Sequence, residues 1–582
     1  MKITAKPPAP ELTIRAVATG MVLGALLAPC NIYTGLKIGW SFNMSIAAGL
    51  IAFGLWRSAA RSFGARPWAL RENNINQTAA SSAAAISSSG LVAPIPALTM
   101  LTGLVLPWHL LAFWVFAVSA LGVVVAAGLR NQMLLRERLP FPAGVATAET
   151  MKQIHAHGGE ATARLRVLGA GALVSGALKL AGEIAGGLPR LAPKIALPVP
   201  GALSPANLGF ALDPSLLMIG FGAIIGLRAG LSLLLGAIVA WGWLAPIIHA
   251  RGWAEGGLAD PGAAWFGPLV EWLLWPGVTM MVVAALVSFA LSLASLYARR
   301  RDAALADEIA TVPRPVFVGA LIAVLALAAV AETVLFDIEL WQAMLAALLS
   351  FVLAVVAGRV SGETGITPIG AMGKITQLIY GVVTPGNVTG NLMSANITGG
   401  SAGQCADMLH DLRTGQIIGA TPAFQVVAQF FGVLAGSLVG SLTYLILIPD
   451  PSGQLITPEW PAPAVATWKA VAEVLSHGLG SIPTGATTAM AIAAGLGLVL
   501  AIAEKALRPA LARFVPSAPA LGLAFVIPAW NSLSLFLGAL AATLVARLAP
   551  RWAEEKLTVL AAGLVAGESL VGVGAAFRHL LG

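Results

Sequence analysis

A run of amide and hydroxyl side chains near residue 75 could bind a solute. Asn73, Asn76, Gln77 and Ser81 recur at intervals of three and four residues, so a helix would place them on one face. No Asp, Glu, Lys or Arg occurs in residues 73–127. In apolar surroundings an unpaired amide costs several kcal/mol. These groups must therefore bond to a neighbouring helix or line a wetted cavity, and the sequence leaves both alternatives open.

A second polar segment contains one isolated cation. Lys374 is the only charged residue between Glu363 and Asp407, in a stretch rich in Gly, Pro, Thr and Asn. We predict that glycine and proline at this density interrupt the helix and create half-helix N-termini, which attract carboxylates. Asp407, Asp411 and Arg413 should then end the segment at a membrane surface. The alternative is a long loop outside the membrane.

A third polar segment lies between two apolar runs, which we predict to span residues 12–30 and 38–56. It carries Asn31, Tyr33 and Lys37, with a glycine on either side of the lysine. Lys37 either extends its charge to a membrane surface or lies in a helix break that faces the protein interior.

Glu568 is a lone carboxylate in an apolar run. Carboxylates inside membrane helices commonly carry protons or pair with cations. Glu568 is therefore a candidate for proton coupling, and the alternative is a structural ion pair with a buried Lys or Arg.

Signatures of enzymes and of metal sites are absent from the sequence. It has no HExxH motif, no P-loop lysine motif, no nucleophile elbow and no EF-hand loop. His155 and His157 are two residues apart, which does not put them on one helical face, and the only two cysteines are Cys30 and Cys405. We predict no metal site, no cofactor and no enzymatic activity.

Composition indicates which elements must position these residues. Of the 582 residues, 58% are hydrophobic and only 10% are charged, against about 25% charged in soluble domains. Apolar stretches of about 20 residues, enough to cross a bilayer, recur along the chain. The sequence predicts an all-α polytopic membrane protein with about 16 membrane-inserted segments, including a broken or re-entrant pair within residues 73–107, where three prolines occur.

Two halves are predicted, residues 1–310 and 311–582. Residues 35–55 resemble residues 522–540, and internal repeats are common in secondary transporters. A glycine at every fourth position from Gly432 to Gly440 suits close helix packing, although ordinary tight packing would explain it equally well.

The net charge of +8 does not indicate nucleic-acid binding. Basic residues cluster between apolar runs, as in the loop with Arg57, Arg61, Arg66 and Arg71, where the positive-inside rule places them in the cytoplasm. We therefore predict a multi-pass protein of the cytoplasmic (inner) membrane with a cytoplasmic N-terminus.

Four sequence blocks resemble the oligopeptide transporter family, which includes the yellow-stripe-like transporters of metal chelates. They are NIYTGLKIGWSFNMSIAA (31–48), ENNINQTAASSAAA (72–85), the block GETGITPIGAMGKITQLIYG through ADMLHDLRTG (362–415), and APALGLAFVIPAWNSLSLFLGAL with GLVAGESLVGVG (518–574). The second and third are the most specific. The resemblance implies proton-coupled uptake of small peptides or peptide-like metal chelates by a prokaryotic-type member with about sixteen segments in two related halves. It leaves the substrate open.

These observations predict a proton-driven secondary importer of small peptide-like solutes. A transporter of metal chelates or siderophore-like complexes, a channel and a membrane enzyme are the alternatives, and the protein could form a homo-oligomer. Glu568, Glu72 and Asp407 are the predicted proton-coupling residues. The predicted substrate-binding residues are Asn31, Tyr33, Lys37, Asn73, Asn76, Gln77, Lys374, Gln377, Asn387, Asn391, Asn396 and Gln404.

Overall fold

The protein is described by a computed structural model that covers residues 11–39, 41, 43–156, 158–193, 204–254, 264–299, 313–365, 367–478, 480 and 482–581. These residues form α-helices joined by short connections and contain a single isolated β-bridge, between Leu191 and Leu212. The predicted all-α membrane fold is confirmed. Backbone groups bonded within helices are the form that a lipid environment allows.

The first twelve helices are α1 (Ile14–Ile38), α2 (Ser45–Phe63), α3 (Leu70–Ala84), α4 (Pro94–Thr102), α5 (Trp108–Arg130), α6 (Pro142–Ala156), α7 (Gly158–Ile184), α8 (Leu216–Ile225), α9 (Leu227–Ala237), α10 (Ala245–Ala250), α11 (Phe266–Arg299) and α12 (Arg314–Phe336). The others are α13 (Leu340–Thr364), α14 (Ile369–Val383), α15 (Val388–Ile418), α16 (Pro422–Leu447), α17 (Pro451–Gln454), α18 (Pro463–His477), α19 (Ala486–Ala506), α20 (Pro509–Ala512), α21 (Ala518–Ala524), α22 (Ala529–Leu548), α23 (Pro550–Trp552) and α24 (Thr558–Leu581).

Twelve helical segments within the described ranges are long and apolar enough to cross a membrane. Two shorter apolar helices, α8 and α14, add to them. Because short and broken segments escape a criterion based on length, the count of about 16 inserted segments stays a prediction. The division into halves at residue 310 also stays a prediction.

The predicted broken helix pair is present. Helix α3 passes into a 3₁₀ segment, Ala85–Ser89, and the chain resumes as α4 at Pro94. Gly90 has a φ of +129° between them, a conformation that L residues rarely adopt. A Cβ at Gly90 would lie 2.5 Å from the Asn396 Oδ1 atom. Glycine is therefore needed both for the turn and for close contact with α15.

The predicted interruption of the segment from residue 362 to residue 407 is present, because the chain leaves the helical state between α13 and α14 and again between α14 and α15. From Val388 onwards, the Gly-rich and Asn-rich stretch forms one continuous helix, α15, of 31 residues, most of them buried. Helices α3, α4, α5, α6, α13, α14 and α16 all pack against it. Asp411 is buried within the bundle, and its position at a membrane surface stays a prediction. Small residues let neighbouring backbones approach α15, and tertiary packing overrides the low helix propensity of glycine.

Helix α1 defines two ends of the bundle. Its first turn carries Arg15, which bonds to Glu72 and to the backbone of the loop that precedes α3. We call this side the basic end. Lys37 lies 22 residues later and therefore about 33 Å away, at the opposite end. The helix runs through Gly35 without a break and ends at Gly39, which has a φ of +77°.

Candidate functional site

A large cavity lies at the opposite end of the bundle, between α1, α7, α8, α22 and α24. Its volume is about 590 Å³, within the usual range of ligand sites, roughly 300–1,000 Å³. We call it the charged cavity because side chains of both signs line it. The charged or aromatic lining residues are Tyr33, Lys37, Lys179, Glu183, Arg190, Asp213, Glu459, Trp530 and Glu568.

Two ion pairs form within the lining of the charged cavity. Lys179 Nζ lies 2.7 Å from Glu183 Oε1, one turn further along α7. Arg190 Nε donates to Asp213 Oδ1 at 2.8 Å, and its guanidinium lies 4.2 Å from the ring centroid of Trp530. Within each pair the two charges balance. The other charged groups in the lining are Lys37, Glu459 and Glu568.

Lys37 lies between two aromatic rings. Its Nζ atom is 4.6 Å from the ring centroid of Trp460 and 5.6 Å from that of Tyr33, and it donates to the Glu459 backbone carbonyl. The two rings meet edge to face, with centroids 5.2 Å apart. Because no carboxylate pairs with Lys37 in the described part of the chain, its charge can meet a solute carboxylate.

Glu568 lies at the inner part of the charged cavity and is 9% exposed. Its Oε1 accepts from the Ser215 hydroxyl at 2.7 Å, and its Oε2 accepts from the Leu217 backbone N–H at 2.8 Å. Leu217 lies in the first turn of α8, where free N–H groups favour a negative charge. Glu568 thus links α24 to α8 through hydrogen bonds, without a direct ion pair to a described residue.

Helices α7 and α24 pack closely on the side of Glu568 that faces the basic end. A Cβ at Gly567 would overlap the Ala172 backbone oxygen, and one at Gly563 would overlap that of Leu168. Helices α24 and α7 therefore touch backbone to backbone.

The amides of α3 face other helices. Asn73 Nδ2 donates to the Gly49 carbonyl at 3.1 Å and lies 3.2 Å from His155 Nε2. Burial lowers the pKa of His155 to about 4, so the ring is neutral at pH 7 and can accept this bond. Asn76 Nδ2 lies 3.4 Å from the Ala48 carbonyl, and Gln77 donates to Asp411 on α15. The structure thus places these three amides at helix interfaces.

The amides on and beside α15 are also at helix interfaces. Asn391 and Gln377 bond to each other, through contacts of 2.7 and 3.1 Å. Asn396 donates to the Ser89 carbonyl at 3.1 Å and accepts from the Trp114 indole at 2.8 Å.

Three other predicted residues complete this group. Asn387 caps α15 by accepting from the Gly390 N–H at 2.8 Å. Both polar atoms of the Gln404 side chain are buried without a hydrogen-bond partner. Asp407 is half-buried.

Lys374 is buried on α14, away from the charged cavity. Its Nζ lies 4.1 Å from the ring centroid of Trp468 and has no hydrogen-bond partner. It lines a separate apolar cavity of about 170 Å³ between α11, α14, α18 and α19. Among the described residues, Lys374 makes no hydrogen bond to the amides of α15, although Gln377 donates to the carbonyl of the same Trp468 at 3.2 Å.

Glu72 and Asn31 have local partners. Glu72 accepts from Arg15, Arg66 and Thr13, with contacts of 2.5, 2.7 and 2.8 Å, and these bonds hold the start of α3 to α1. Asn31 Nδ2 donates to the Ala84 carbonyl at 3.0 Å, where α3 ends. Glu72 is at the basic end, far from the charged cavity.

The structure thus brings three predicted residues together in the charged cavity, namely Tyr33, Lys37 and Glu568. The other predicted residues lie along α3, α14 and α15 or at the basic end, and their roles in binding and coupling stay predictions. Sequence reasoning missed Lys179, Glu183, Arg190, Asp213, Glu459 and Trp530. Only the i, i+4 pair on α7 has a local sequence signal. Arg190, Asp213 and Glu459 come from connecting segments, and Trp530 from the first turn of α22, all distant in the chain from α1.

The charged groups of the described residues do not form a cluster of three or more His, Cys, Asp or Glu side chains placed to hold a metal ion. The chemistry that the charged cavity offers is therefore that of ion pairing, hydrogen bonding and aromatic contact with a polar solute.

Comparisons with known proteins agree with the resemblance. The family described as OPT oligopeptide transporter protein matches residues 11–579. A putative oligopeptide transporter of Haemophilus influenzae is 27% identical, over 94% of this chain and 92% of the relative. One of Saccharomyces cerevisiae is 24% identical, over 98% and 96%. A probable metal-nicotianamine transporter of Oryza sativa is 23% identical, over 99% and 96%. The chain therefore belongs to the OPT oligopeptide transporter family of membrane proteins.

Proposed function

We propose that this protein is a proton-coupled secondary importer of small oligopeptides or peptide-like compounds across the cytoplasmic membrane. The charged cavity is the observation that carries the proposal. Its volume of about 590 Å³ and its lining of charged and aromatic side chains suit a binding site for a small polar solute.

The distribution of charge favours a zwitterionic solute. Lys37 can meet a carboxylate, while Glu459 and Glu568 can meet an ammonium group. Tyr33 and Trp530 offer ring faces and edges to side chains of the solute. An anion-only or cation-only site would not need both signs, and a purely apolar solute would leave these groups unpaired at high cost.

The names of relatives narrow the substrate to two related classes. Two of those reported above are named as oligopeptide transporters and one as a metal-nicotianamine transporter. A peptide and an amino-acid-like chelate both carry carboxylates and amines, so the charged cavity suits either. Peptides are our first proposal, and metal chelates are the alternative.

Proton coupling is proposed for Glu568 first, with Glu72 and Asp407 as the other candidates. Glu568 lines the charged cavity and is held by two hydrogen bonds that do not need a cation. A proton on this carboxyl group would therefore alter its interaction with a bound ammonium group without breaking an ion pair. Alternating access would move one half of the chain against the other.

Uptake by proteoliposomes tests the function. The purified protein should accumulate labelled di- to tetrapeptides when the outer solution is more acidic, and should not accumulate them without the pH gradient. Glu568→Gln should remove this accumulation, while Glu554→Gln, the same change at an exposed site near the basic end, should not. Wild-type pH dependence in Glu568→Gln would exclude this residue from coupling.

Two other outcomes would redirect the proposal. Accumulation of iron–nicotianamine with no uptake of any peptide would favour the chelate class. Flux of peptides at channel rates that ignores the pH gradient would contradict a secondary transporter.

A further inference from the structure

Asp411 is a buried carboxylate far from the charged cavity, and no role has been assigned to it above. It lies in the last third of α15, on the side of the bundle nearer the basic end, and is 1% exposed. None of the ion pairs between described residues includes it. A buried carboxylate without a cation is costly when it is ionised.

The neighbours of Asp411 are neutral polar groups. Gln77 on α3 donates through Nε2 to Asp411 Oδ1, and the Ser45 hydroxyl, at the start of α2, lies nearby and donates to Ser81. Asp411 Oδ2 and Gln77 Oε1 are both buried without a partner. A proton on Asp411 would supply a donor for Gln77 Oε1. It would also neutralise the charge that the unpartnered Asp411 Oδ2 shares.

A second carboxylate is one helical turn away. Asp407 precedes Asp411 by four residues on α15, a spacing that puts two Cβ atoms about 6 Å apart. Asp407 is half-buried. Two negative charges this close, with no cation between them, repel each other strongly in a poorly solvated site. A single proton removes the repulsion, and the half-buried Asp407 offers a route for its entry.

Charged or titratable groups near Asp411 on the surrounding elements bond elsewhere, and Glu149 and Lys152 on α6 are exposed. His410 bonds to Ser361, His155 to Asn73, Arg413 to Gln416, Arg359 to Glu137, and Glu72 to Arg15 and Arg66. Gln425, the residue of α16 that bonds to this turn, donates to the Asp411 backbone carbonyl and does not alter the side-chain charge. No described cation neutralises Asp411.

We propose that Asp411, with Gln77 and Asp407, is a proton-binding site of this protein, separate from the charged cavity. A hydronium ion gives its proton to the Asp411 carboxylate, so one O–H bond forms and a water molecule is released. The Gln77 amide then turns over, and its Oε1 accepts from the new carboxyl group where its Nε2 had donated to the carboxylate.

The site links proton binding to helix packing. When Asp411 is ionised, α3 and α15 are joined by a hydrogen bond from Gln77 to a charged carboxylate. When Asp411 is protonated, the hydrogen bond between the two helices joins neutral groups and is about half as strong. Proton binding therefore weakens the contact between these two helices. The role in transport rests on the proposed function, whereas proton binding itself does not.

Infrared spectroscopy tests proton binding without any substrate. Protein labelled with carbon-13 in its aspartate carboxyl groups is titrated between about pH 9 and about pH 5 in lipid, a range above the ordinary titration of aspartate. A carboxylic acid band with the aspartate isotope shift should appear in the wild type. It should be missing in Asp411→Asn and retained in Asp450→Asn, which makes the same change at an exposed site.

The infrared outcomes decide the proposal. An unchanged aspartate band in Asp411→Asn would overturn it, and so would the absence of such a band in the wild type. If Asp411→Asn does not fold, Asp411→Glu carries the test, because the band should then lose the aspartate isotope shift. A band that keeps this shift in Asp411→Glu would also overturn the proposal.

Transport assays separate this inference from the proposed function. Asp411→Asn should lose accumulation of labelled di- to tetrapeptides driven by a pH gradient, yet keep peptide exchange at equal concentrations within about twofold of the wild type. Normal accumulation in Asp411→Asn would contradict a coupling role. If the wild type takes up no peptide, the proposed function fails, and the infrared titration still decides whether Asp411 binds a proton.

Discussion

Among the described residues, the Lys37 ammonium group interacts with a backbone carbonyl and two aromatic rings and with no carboxylate, so it is available to a ligand. In this it differs from the other two cations of the charged cavity, Lys179 and Arg190, which are paired with carboxylates. The aromatic rings hold the charge in place at small cost, since cation–π contacts partly replace hydration. A solute carboxylate would complete the site.

Replacing Lys37 with Met should weaken peptide binding and leave folding intact. The change keeps the apolar stem that packs on Trp460 and removes the charge. We expect the KM for peptide uptake to rise by about tenfold, the effect of losing one charge-assisted hydrogen bond of about 1.4 kcal/mol. Concentration series of uptake into proteoliposomes give this value. Lys556→Met at the basic end is the matched control, with an expected KM equal to that of the wild type.

The same assay on Lys374→Met compares the two predicted lysine ligands. Lys374 is buried against Trp468 and does not line the charged cavity. A different outcome is a tenfold rise in KM for Lys374→Met together with an unchanged KM for Lys37→Met. In that case the solute binds along α14 and α15. That result would contradict the assignment of the charged cavity as the binding site.

Residue types alone identified part of the site. Lys37 and Glu568 could be singled out because charged groups in apolar runs are rare and costly. Arg190, Asp213 and Glu459 could not, since they belong to connecting segments whose approach to α1 and α24 depends on the whole fold. For the amides of α3, periodicity predicted a common face correctly, but nothing local shows whether that face meets a helix or a cavity.

At the scale of elements, the segment from residue 362 to residue 407 shows what composition could predict and what it could not. Its glycines and prolines predicted an interrupted segment, and the breaks occur before α14 and before α15, whereas α15 itself is continuous. In the fold, the glycines admit neighbouring helices and the amides bond to them, as Asn391 does to Gln377 and Asn396 to Trp114. The broken pair α3 and α4 was predictable because Gly90 and the prolines that follow act on the local backbone.

The interface of α16 with α3 depends on a row of glycines. A Cβ at Gly432 would overlap the Ala79 backbone oxygen and the Ser82 hydroxyl, and one at Gly436 would overlap the Ala83 backbone. The spacing noted in the sequence therefore marks a close approach of two helix backbones. Because α3 also carries Gln77, this contact helps to position Gln77 beside Asp411.

Gly432→Ala should destabilise the protein by about 1–3 kcal/mol, the usual cost of forcing a methyl group into a filled interface. Gly495→Ala is the matched control, since Gly495 lies in α19 with open space around its Cβ position. Alanine there should be neutral or stabilising by up to about 1 kcal/mol. Unfolding of the purified variants in detergent, followed by circular dichroism, gives the comparison. Equal effects at both positions would contradict close packing of α16 on α3.

At the scale of the whole molecule, the two ends of the bundle differ in chemistry. The basic end has the ion-paired carboxylates Glu72 and Glu11, which join α1, α3 and the start of α16. The opposite end has the charged cavity. Between them, α7 and α24 pack backbone to backbone. In the proposed alternating-access mechanism, a binding site at one end would be reached from one side of the membrane in one state.

The predicted orientation of the chain decides which side of the membrane the charged cavity faces. With the basic end in the cytoplasm, as the positive-inside rule favours, the charged cavity would face the outside, where an importer first meets its solute. Ser62 and Asp450 are exposed near the basic and opposite ends respectively. Both native cysteines, Cys30 and Cys405, are fully buried and should give little background in thiol labelling.

Cysteine labelling in intact cells therefore tests the orientation and the direction of access together. Asp450→Cys should react with a membrane-impermeant maleimide, whereas Ser62→Cys should react only after the cells are permeabilised. Labelling of both variants in permeabilised cells is the control for expression and exposure. The reverse pattern in intact cells would place the charged cavity on the cytoplasmic side. That result would contradict the predicted cytoplasmic position of the basic end.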